Sequence, residues 1–268
     1  MNIVTFQQLL DLPAGQPNSV IAYGTEAAQF GELWLPAPGA EGPAPLVVLI
    51  HGGCWRSEFD IAHIRPASAA LAAAGFAVWA IEYRRIGDPG GGWPGTFLDV
   101  AAGVDFVRGL DPTIVNTRRV LLVGHSAGGH LATWAASRVS SPGTGEIHTH
   151  DPVPVAGVVG LAAIVDLDRY ALGASSCERA TRELMGGLPD EVPERYQQAS
   201  PRHLVLHPNT RMVHGINDRI VPLDQITSLR LSPSRVVALS GVGHFDLVYP
   251  EAAAFERVLG TIRAAFAQ

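Results

Sequence analysis

Short apolar runs alternate along the chain with Ala-rich stretches that we predict to be helices. The runs are apolar at nearly every position, which is typical of parallel strands covered by helices on both faces. The predicted strands are Leu46–Ile50, Phe76–Ile81, Arg119–Val123, Val155–Leu161, Thr210–His214 and Arg235–Leu239. The predicted helices are Ile61–Ala74, Gly95–Leu110, Ala127–Ser137, Leu223–Leu231 and Pro250–Ala267.

The alternation predicts an α/β fold with a mostly parallel, doubly wound sheet and right-handed crossovers. Two earlier runs, Ser19–Gly24 and Phe30–Leu35, predict an antiparallel hairpin on the N-terminal side. Residues 164–208 interrupt the rhythm for about 45 positions, which suggests a functional insertion. Short helices are expected there at Asp166–Tyr170, Arg179–Met185 and Glu194–Gln197. We therefore expect one domain over residues 1–268, with the insertion as a short cap.

One tight turn carries candidate chemistry. Residues 124–129 read Gly-His-Ser-Ala-Gly-Gly, which matches G-x-S-x-G between a predicted strand and a predicted helix. A serine in such a turn has a strained backbone and an exposed hydroxyl, and the flanking glycines prevent clashes. An ordinary glycine-rich turn has the same pattern, so the partners of Ser126 must decide between the two interpretations.

Two further residues supply those partners. Asp218 follows one predicted strand and His244 follows the last, so both lie at carboxyl ends of strands, where α/β sheets place their sites. Taken separately, Asp218 could cap a helix and His244 could be a surface histidine. With Ser126 they give the order nucleophile, acid, base. We therefore predict a catalytic triad of Ser126, Asp218 and His244.

A second glycine motif, His51-Gly-Gly-Cys-Trp55, directly follows the strand Leu46–Ile50. Two adjacent glycines let the backbone approach a ligand closely. We predict an oxyanion hole formed by the backbone N–H groups of Gly53, Cys54 and Ala127. The alternative is a tight loop in which Trp55 is a core residue.

Together these motifs resemble the α/β-hydrolase esterases, a group that includes hormone-sensitive-lipase-like enzymes, bacterial acyl esterases and kynurenine formamidases. The resemblance covers nearly the whole chain. The hormone-sensitive-lipase-like branch has H-G-G-G, whereas here Cys54 replaces the third glycine and Trp55 follows. That form is more similar to kynurenine formamidases and small esterases, as are Glu82–Arg85, Gly90–Gly95 and Asp99, to which we assign a loop-shaping role.

The resemblance implies a serine hydrolase that cleaves a small carboxylic ester or an aryl formamide through an acyl-enzyme. We expect Trp55, Trp93, Tyr170 and Phe245 to line an apolar substrate pocket. A peptidase of prolyl-oligopeptidase type and a non-catalytic binding module remain the alternatives. The first normally carries an additional propeller domain, and the second usually lacks a triad member.

Composition and charge disfavour several other classes of protein function. All 19 basic residues are Arg, which removes lysine-dependent phosphate loops, Schiff bases and nucleophiles. The net charge of −6, without a long Arg run, predicts neither a nucleic acid nor an anionic membrane as partner. The run His148–Asp151 lacks the spacing of a metal site, so neither a metal nor a cofactor is expected.

Location and redox state are predicted from weaker signals. The longest apolar stretch, residues 67–81, is too short to span a bilayer, and no secretory signal is visible at the start. Cys54 and Cys177 are far apart and do not suggest a disulfide framework. We expect a cytoplasmic protein with two free thiols that acts on a small molecule, and Cys54 as a lining residue of the pocket. The oligomeric state is not predicted.

Overall fold

One mixed β-sheet is the framework of the molecule. The computed structural model describes residues 3–37, 42–140 and 145–267. Within these ranges the sheet has eight strands. They are β1 Ser19–Ala22, β2 Phe30–Trp34, β3 Ala44–Ile50, β4 Ala77–Ile81, β5 Val115–His125, β6 Gly157–Leu161, β7 Thr210–Gly215 and β8 Val236–Leu239.

The strands lie in the order β1-β2-β4-β3-β5-β6-β7-β8. The pairs β1–β2 and β2–β4 are antiparallel, and all other neighbouring pairs are parallel. This arrangement confirms the predicted fold class and the N-terminal hairpin. Ile50 pairs with both Ile81 and Gly124, so β3, β4 and β5 end at the same level of the sheet. The loops that follow these strands therefore meet at one edge.

Helices cover both faces of the sheet. Those in the described residues are α1 Phe6–Asp11, α2 Arg65–Ala73, α3 Gly95–Asp105, α4 Ala127–Ser137, α5 Leu167–Tyr170, α6 Ser176–Met185, α7 Pro193–Ala199, α8 Asp224–Thr227 and α9 Ala253–Phe266. Leu131 of α4 belongs to the apolar core on one face, and Phe255 of α9 to the core on the other. Burial on both sides explains why β4 is apolar at every position.

The predicted insertion between β6 and β7 contains α5, α6 and α7. Leu184 and Tyr196 are fully buried in the same core as α3 and α4, so the insertion packs firmly onto the sheet layer. Helix α6 starts at Ser176, three residues before the predicted start, because Ser175 and Glu178 form a capping box.

Several predicted boundaries differ from the structure. Helix α1 was not predicted. The predicted helix Leu223–Leu231 is reduced to α8, and Arg230 has a left-handed backbone with φ of 52°. The predicted helix Gly95–Leu110 ends at Asp105 and continues as a 3₁₀ turn. Over the described residues, no helix combines the length and the apolar character needed to cross a membrane.

A buried histidine links α4 to its surroundings. His130 is fully buried; its Nδ1 accepts a hydrogen bond from Trp55 Nε1 at 3.2 Å, and its Nε2 donates to the Ala199 carbonyl at 3.0 Å. These partners require the neutral imidazole with the proton on Nε2. Burial lowers the pKa of His130 to about 4. Protonation would place a second N–H against the Trp55 N–H.

We expect the free energy of unfolding to fall as the pH is lowered from 6.5 towards 4. In that window the unfolded chain protonates His130 and the folded chain does not, so stability present above pH 6.5 is lost on acidification. One histidine with this shift costs on the order of 3 kcal/mol by the end of the window. Urea denaturation at several pH values measures the loss. The loss should be smaller in His130→Gln, and equal losses in both proteins would contradict the assignment.

Candidate active site

Ser126 stands on the tight turn between β5 and α4. Its backbone has φ 57° and ψ −120°, a left-handed conformation that a residue with a side chain rarely adopts. The turn is also crowded. A Cβ on Gly124 would lie 2.1 Å from the Gly128 carbonyl oxygen, and one on Gly128 would lie 2.1 Å from that of Ile50. Only glycine fits at these two positions, and Ser126 is thereby placed at the carboxyl edge of the sheet.

Asp218 and His244 form a short hydrogen bond at the same edge. His244 Nδ1 donates to Asp218 Oδ2 at 2.6 Å, and Asp218 Oδ1 accepts from the N–H groups of Ile220 and Val221 at 2.8 and 2.9 Å. Burial acts to raise the pKa of Asp218, but the hydrogen bond and charge of His244 and the two N–H groups outweigh it and keep the pKa below its ordinary value. The ionised carboxylate thus orients the imidazole, whose Nε2 remains available as a base.

Ser126 and His244 line one cavity of about 610 Å³. Asp218 lies behind His244 with 1% of its side chain exposed. Within the described part of the chain, the Ser126 hydroxyl makes no hydrogen bond. The structure therefore brings the three predicted triad residues together, with the serine hydroxyl open to the cavity.

The loop after β3 has an unusual backbone. Gly53, Cys54 and Trp55 have φ values of 97°, 50° and 56°. A Cβ on Gly52 would lie 3.0 Å from Ser126 Cβ, so this loop passes directly against the serine. The N–H groups of Gly53 and Cys54 have no hydrogen-bond partner among the described residues, and both residues line the cavity. Free donors beside a serine can stabilise an oxyanion.

A buried carboxylate fixes this loop. Glu82, at the end of β4, accepts hydrogen bonds from His51 Nε2 at 2.7 Å and from the N–H groups of Ile61 and Tyr83 at 2.9 Å each. The Tyr83 hydroxyl in turn donates to the His51 carbonyl at 2.8 Å. Burial acts to raise the pKa of Glu82, but the charge and hydrogen bond of His51, the charge of Arg85 and the Tyr83 N–H together lower it by more. The loop-shaping role predicted for this run thus acts through Glu82.

Of the four residues predicted to line the pocket, Phe245 does so. Trp55 does not, because it is fully buried and bonded to α4. Tyr170 does not either, because its hydroxyl donates to a backbone carbonyl of the loop after β7. Trp93 lies in a separate groove beside α7. These residues were predicted to line the pocket because they are aromatic. Aromatic character alone does not distinguish a residue of the core from a residue of the pocket.

Residues that were not predicted form another wall of the cavity. Phe6 of α1 contacts Phe59 and Phe245, with 5.4 Å between ring centroids in each pair, and His63 at 5.6 Å. The capping box of Thr5 and Gln8 is visible in the sequence and could have predicted α1. No local signal shows that α1 reaches the cavity.

The expectation of two free thiols is wrong. Cys54 and Cys177 form a disulfide, with their Cα atoms 5.1 Å apart. The bond joins the loop after β3 to the first turn of α6, and both cysteines line the cavity as predicted for Cys54. Their separation of 123 residues conceals the contact in the sequence. The disulfide therefore removes one of the reasons for predicting a cytoplasmic location.

No three His, Cys, Asp or Glu side chains of the described ranges are grouped so that they could hold a metal ion. His148 and His150 contact each other edge to face, and Asp151 instead pairs with Arg108 at 3.2 Å.

The order of the strands and the strained serine turn between β5 and α4 define an α/β-hydrolase fold. Within that class the chain belongs to the BD-FAE family, an α/β-hydrolase esterase family whose model matches residues 32–232.

Relatives of the chain include an esterase and an acetyl-hydrolase. The chain is 28% identical over 237 residues to the esterase LipC of Mycobacterium tuberculosis, covering 85% of this chain and 57% of LipC. It is 31% identical over 223 residues to an acetyl-hydrolase of Streptomyces hygroscopicus, covering 76% of this chain and 67% of that protein. The chain thus spans little more than half the length of LipC. The resemblance to kynurenine formamidases gains no support from these relatives.

Solved structures share the fold. A truncated carbohydrate esterase from gut microbiota aligns with a TM-score of 0.77 at 20% identity, over 95% of this chain and 98% of that one. Esterase B of Lactobacillus rhamnosis aligns with a TM-score of 0.76 at 20% identity, over 98% and 90%. At such identities the likeness establishes the fold alone.

We expect Glu82→Gln to lower the free energy of unfolding by about 3 to 5 kcal/mol, because the amide places an N–H₂ group against buried donors and leaves His51 without its anion. Glu183→Gln is the matched control, since Glu183 also pairs with an arginine but is 46% exposed. Its cost should stay below about 1 kcal/mol. Equal urea midpoints for the two variants would contradict the role of Glu82.

Proposed function

We propose that the protein is a serine carboxylesterase that cleaves esters of small acyl groups through an acyl-enzyme. The observation that carries this proposal is the 2.6 Å hydrogen bond from His244 to buried Asp218, in the same cavity as a serine on a strained turn. Strain of this kind persists where surrounding structure enforces it, and it clusters at active sites. A non-catalytic binding module has no need of it.

In the proposed reaction, Ser126 Oγ attacks the ester carbonyl carbon while its proton passes to His244 Nε2. The tetrahedral intermediate then collapses, and the alcohol leaves with the proton from His244. Water attacks the acyl-serine by the same route and releases the acid. Asp218 keeps Nε2 facing the serine and stabilises the imidazolium that forms at each stage.

The negative charge on the carbonyl oxygen is assigned to the backbone N–H groups of Gly53, Cys54 and Ala127. Ala127 is the first residue of α4, where N–H groups lack partners within the helix. Each donor of this kind contributes about 3 to 4 kcal/mol to the transition state. This assignment is supported because the Gly53 and Cys54 N–H groups have no hydrogen-bond partner in the part of the chain that the structure describes.

Small acyl groups are favoured for two reasons. The cavity is closed on one side by the aromatic wall of α1 and on another by α6 of the insertion. One relative is an acetyl-hydrolase, and an esterase of Thermogutta terrifontis with the same fold has been solved with butyrate and with propionate bound. An aryl formamide would undergo the same attack, so an N-formyl arylamine belongs in the substrate panel beside acetate, butyrate and octanoate esters.

Ser126→Ala should lower kcat/KM for p-nitrophenyl butyrate by about four to six decades without unfolding the protein, because the triad acts as a unit. A fluorophosphonate should label Ser126 in the wild type and nothing in the variant. Ser176→Ala is the control, since Ser176 also lines the cavity. It should keep wild-type labelling, and its kcat/KM should stay within about one decade of the wild type. Labelling that persists in folded Ser126→Ala would refute the serine mechanism.

Asp218→Asn should lower kcat by about four decades, because the asparagine amide favours the wrong imidazole tautomer. Asp246→Asn tests the neighbouring acid: Asp246 Oδ2 accepts only from the N–H groups of Val4 and Gly243 among the described residues. We expect the latter variant to remain within about one decade of the wild type. The reverse ranking in steady-state assays would assign the acid to Asp246.

A further inference from the structure

The disulfide attaches the middle of the proposed oxyanion loop to a helix of the insertion. Before Cys54, the loop is held by the hydrogen bond from His51 Nε2 to Glu82. After it, Trp55 is held by its side-chain bond to His130 and by its carbonyl, which accepts the Ile86 N–H at 2.7 Å. The Cys54 N–H has no partner among the described residues, whereas the carbonyl of the same peptide, that of Gly53, accepts the Arg56 N–H at 3.0 Å. Beyond that hydrogen bond within the loop, the peptide is tied to the rest of the molecule through the Cys54 sulfur.

The conformation of this peptide needs such support. Cys54 and Trp55 both have positive φ values, which cost free energy in residues with a side chain. The hydrogen bond from Arg56 to the Gly53 carbonyl lies within the loop, so without a tie to another segment the whole turn could relax towards ordinary backbone angles and move the Cys54 N–H away from the cavity. The donor would then be present but no longer aimed at the oxygen of the substrate.

Helix α6 is a firm anchor for the other sulfur. Cys177 is 3% exposed, and the helix is capped at its start by Ser175 with Glu178. Near its end Leu184 is fully buried, and the Leu184 carbonyl accepts the Trp93 N–H at 2.9 Å. A position on this helix is thus fixed relative to the core of the sheet.

We propose that Cys177 is a positioning residue for ester hydrolysis, which through its disulfide keeps the Cys54 N–H aimed at the oxyanion. The proposal rests on the proposed esterase function. It assigns no nucleophilic role to either sulfur. Because the oxyanion forms only in the transition state, loss of the disulfide should lower kcat and leave KM nearly unchanged.

The first measurement compares Cys177→Ala with the wild type on p-nitrophenyl butyrate. We expect kcat to fall by about 10- to 100-fold, less than the full loss of an oxyanion donor, with KM within about threefold. A trifluoromethyl ketone, which forms a tetrahedral adduct with the serine, should bind more weakly by the same factor as kcat. A general loosening of the pocket would raise KM instead.

The control variant breaks the other link between the same loop and α6. The Arg56 guanidinium pairs with Glu183 at 2.8 Å, whereas the bond from Arg56 to the Cys54 peptide is made by its backbone N–H, which donates to the Gly53 carbonyl. Glu183→Gln removes that ion pair and should leave kcat within twofold. If kcat of Glu183→Gln falls as far as that of Cys177→Ala, any contact between loop and helix has the same effect, and the specific positioning role of Cys177 is overturned.

Reduction of the wild type tests the same point without a substitution. Dithiothreitol gives two electrons and two protons to the Cys54–Cys177 bond, which becomes two thiols while the reagent becomes a cyclic disulfide. Reduced folded enzyme should show the kcat of Cys177→Ala, and reoxidation should restore it. The double variant Cys54→Ala/Cys177→Ala should be equally slow and indifferent to the reagent. Reversible reduction of the wild type also tests the positioning role if one of the variants does not fold.

The oxidised wild type distinguishes a failure of the proposed function from a failure of the positioning role. Oxidised wild type that neither hydrolyses esters nor reacts with a fluorophosphonate would overturn the proposed function. Active oxidised enzyme whose kcat is unchanged on reduction and in Cys177→Ala, or whose KM alone rises, would overturn the positioning role and leave the esterase proposal intact.

Discussion

The carboxylate of Glu82 lies at the end of β4 with 2% of its side chain exposed, where an unpaired charge would be strongly destabilising. It is paired by the imidazole of His51, the N–H groups of Ile61 and Tyr83, and the guanidinium of Arg85. These partners belong to the loops that follow β3 and β4. Satisfying one buried charge therefore fixes the relative positions of both loops, and the proposed oxyanion loop is one of them.

The parts of the fold that could be predicted depend on local pattern. Strand segments buried on both faces must be apolar, so β3, β4, β6 and the second half of β5 stand out in the sequence, whereas helix ends are decided by caps and left-handed residues such as Arg230. The candidate triad was predictable because each member lies just after a strand, and parallel strands bring such positions to one edge. The serine turn was predictable because Gly124 and Gly128 leave no space for a Cβ.

The parts that could not be predicted depend on contacts between distant segments. Phe6 reaches the cavity only because α1 packs beside the loop that carries Phe59. Trp55 has the composition of a pocket residue but is directed into the core by its bond to His130. The disulfide joins a sheet loop to an insertion whose path no periodicity fixes. In each case the chemistry of the residue is visible in the sequence and its direction is not.

The disulfide also divides the molecule covalently. Residues 54–177 form a closed ring that contains Ser126, and closing so long a loop stabilises a protein mainly by restricting its unfolded chain. Asp218 and His244 lie outside the ring. His244 follows β8, which lies at one edge of the described sheet and whose residues are all at least partly exposed. Such an edge opens at a lower free energy than a buried core. Heat should therefore separate the imidazole from the serine before the ring unfolds, so thermal inactivation would precede melting.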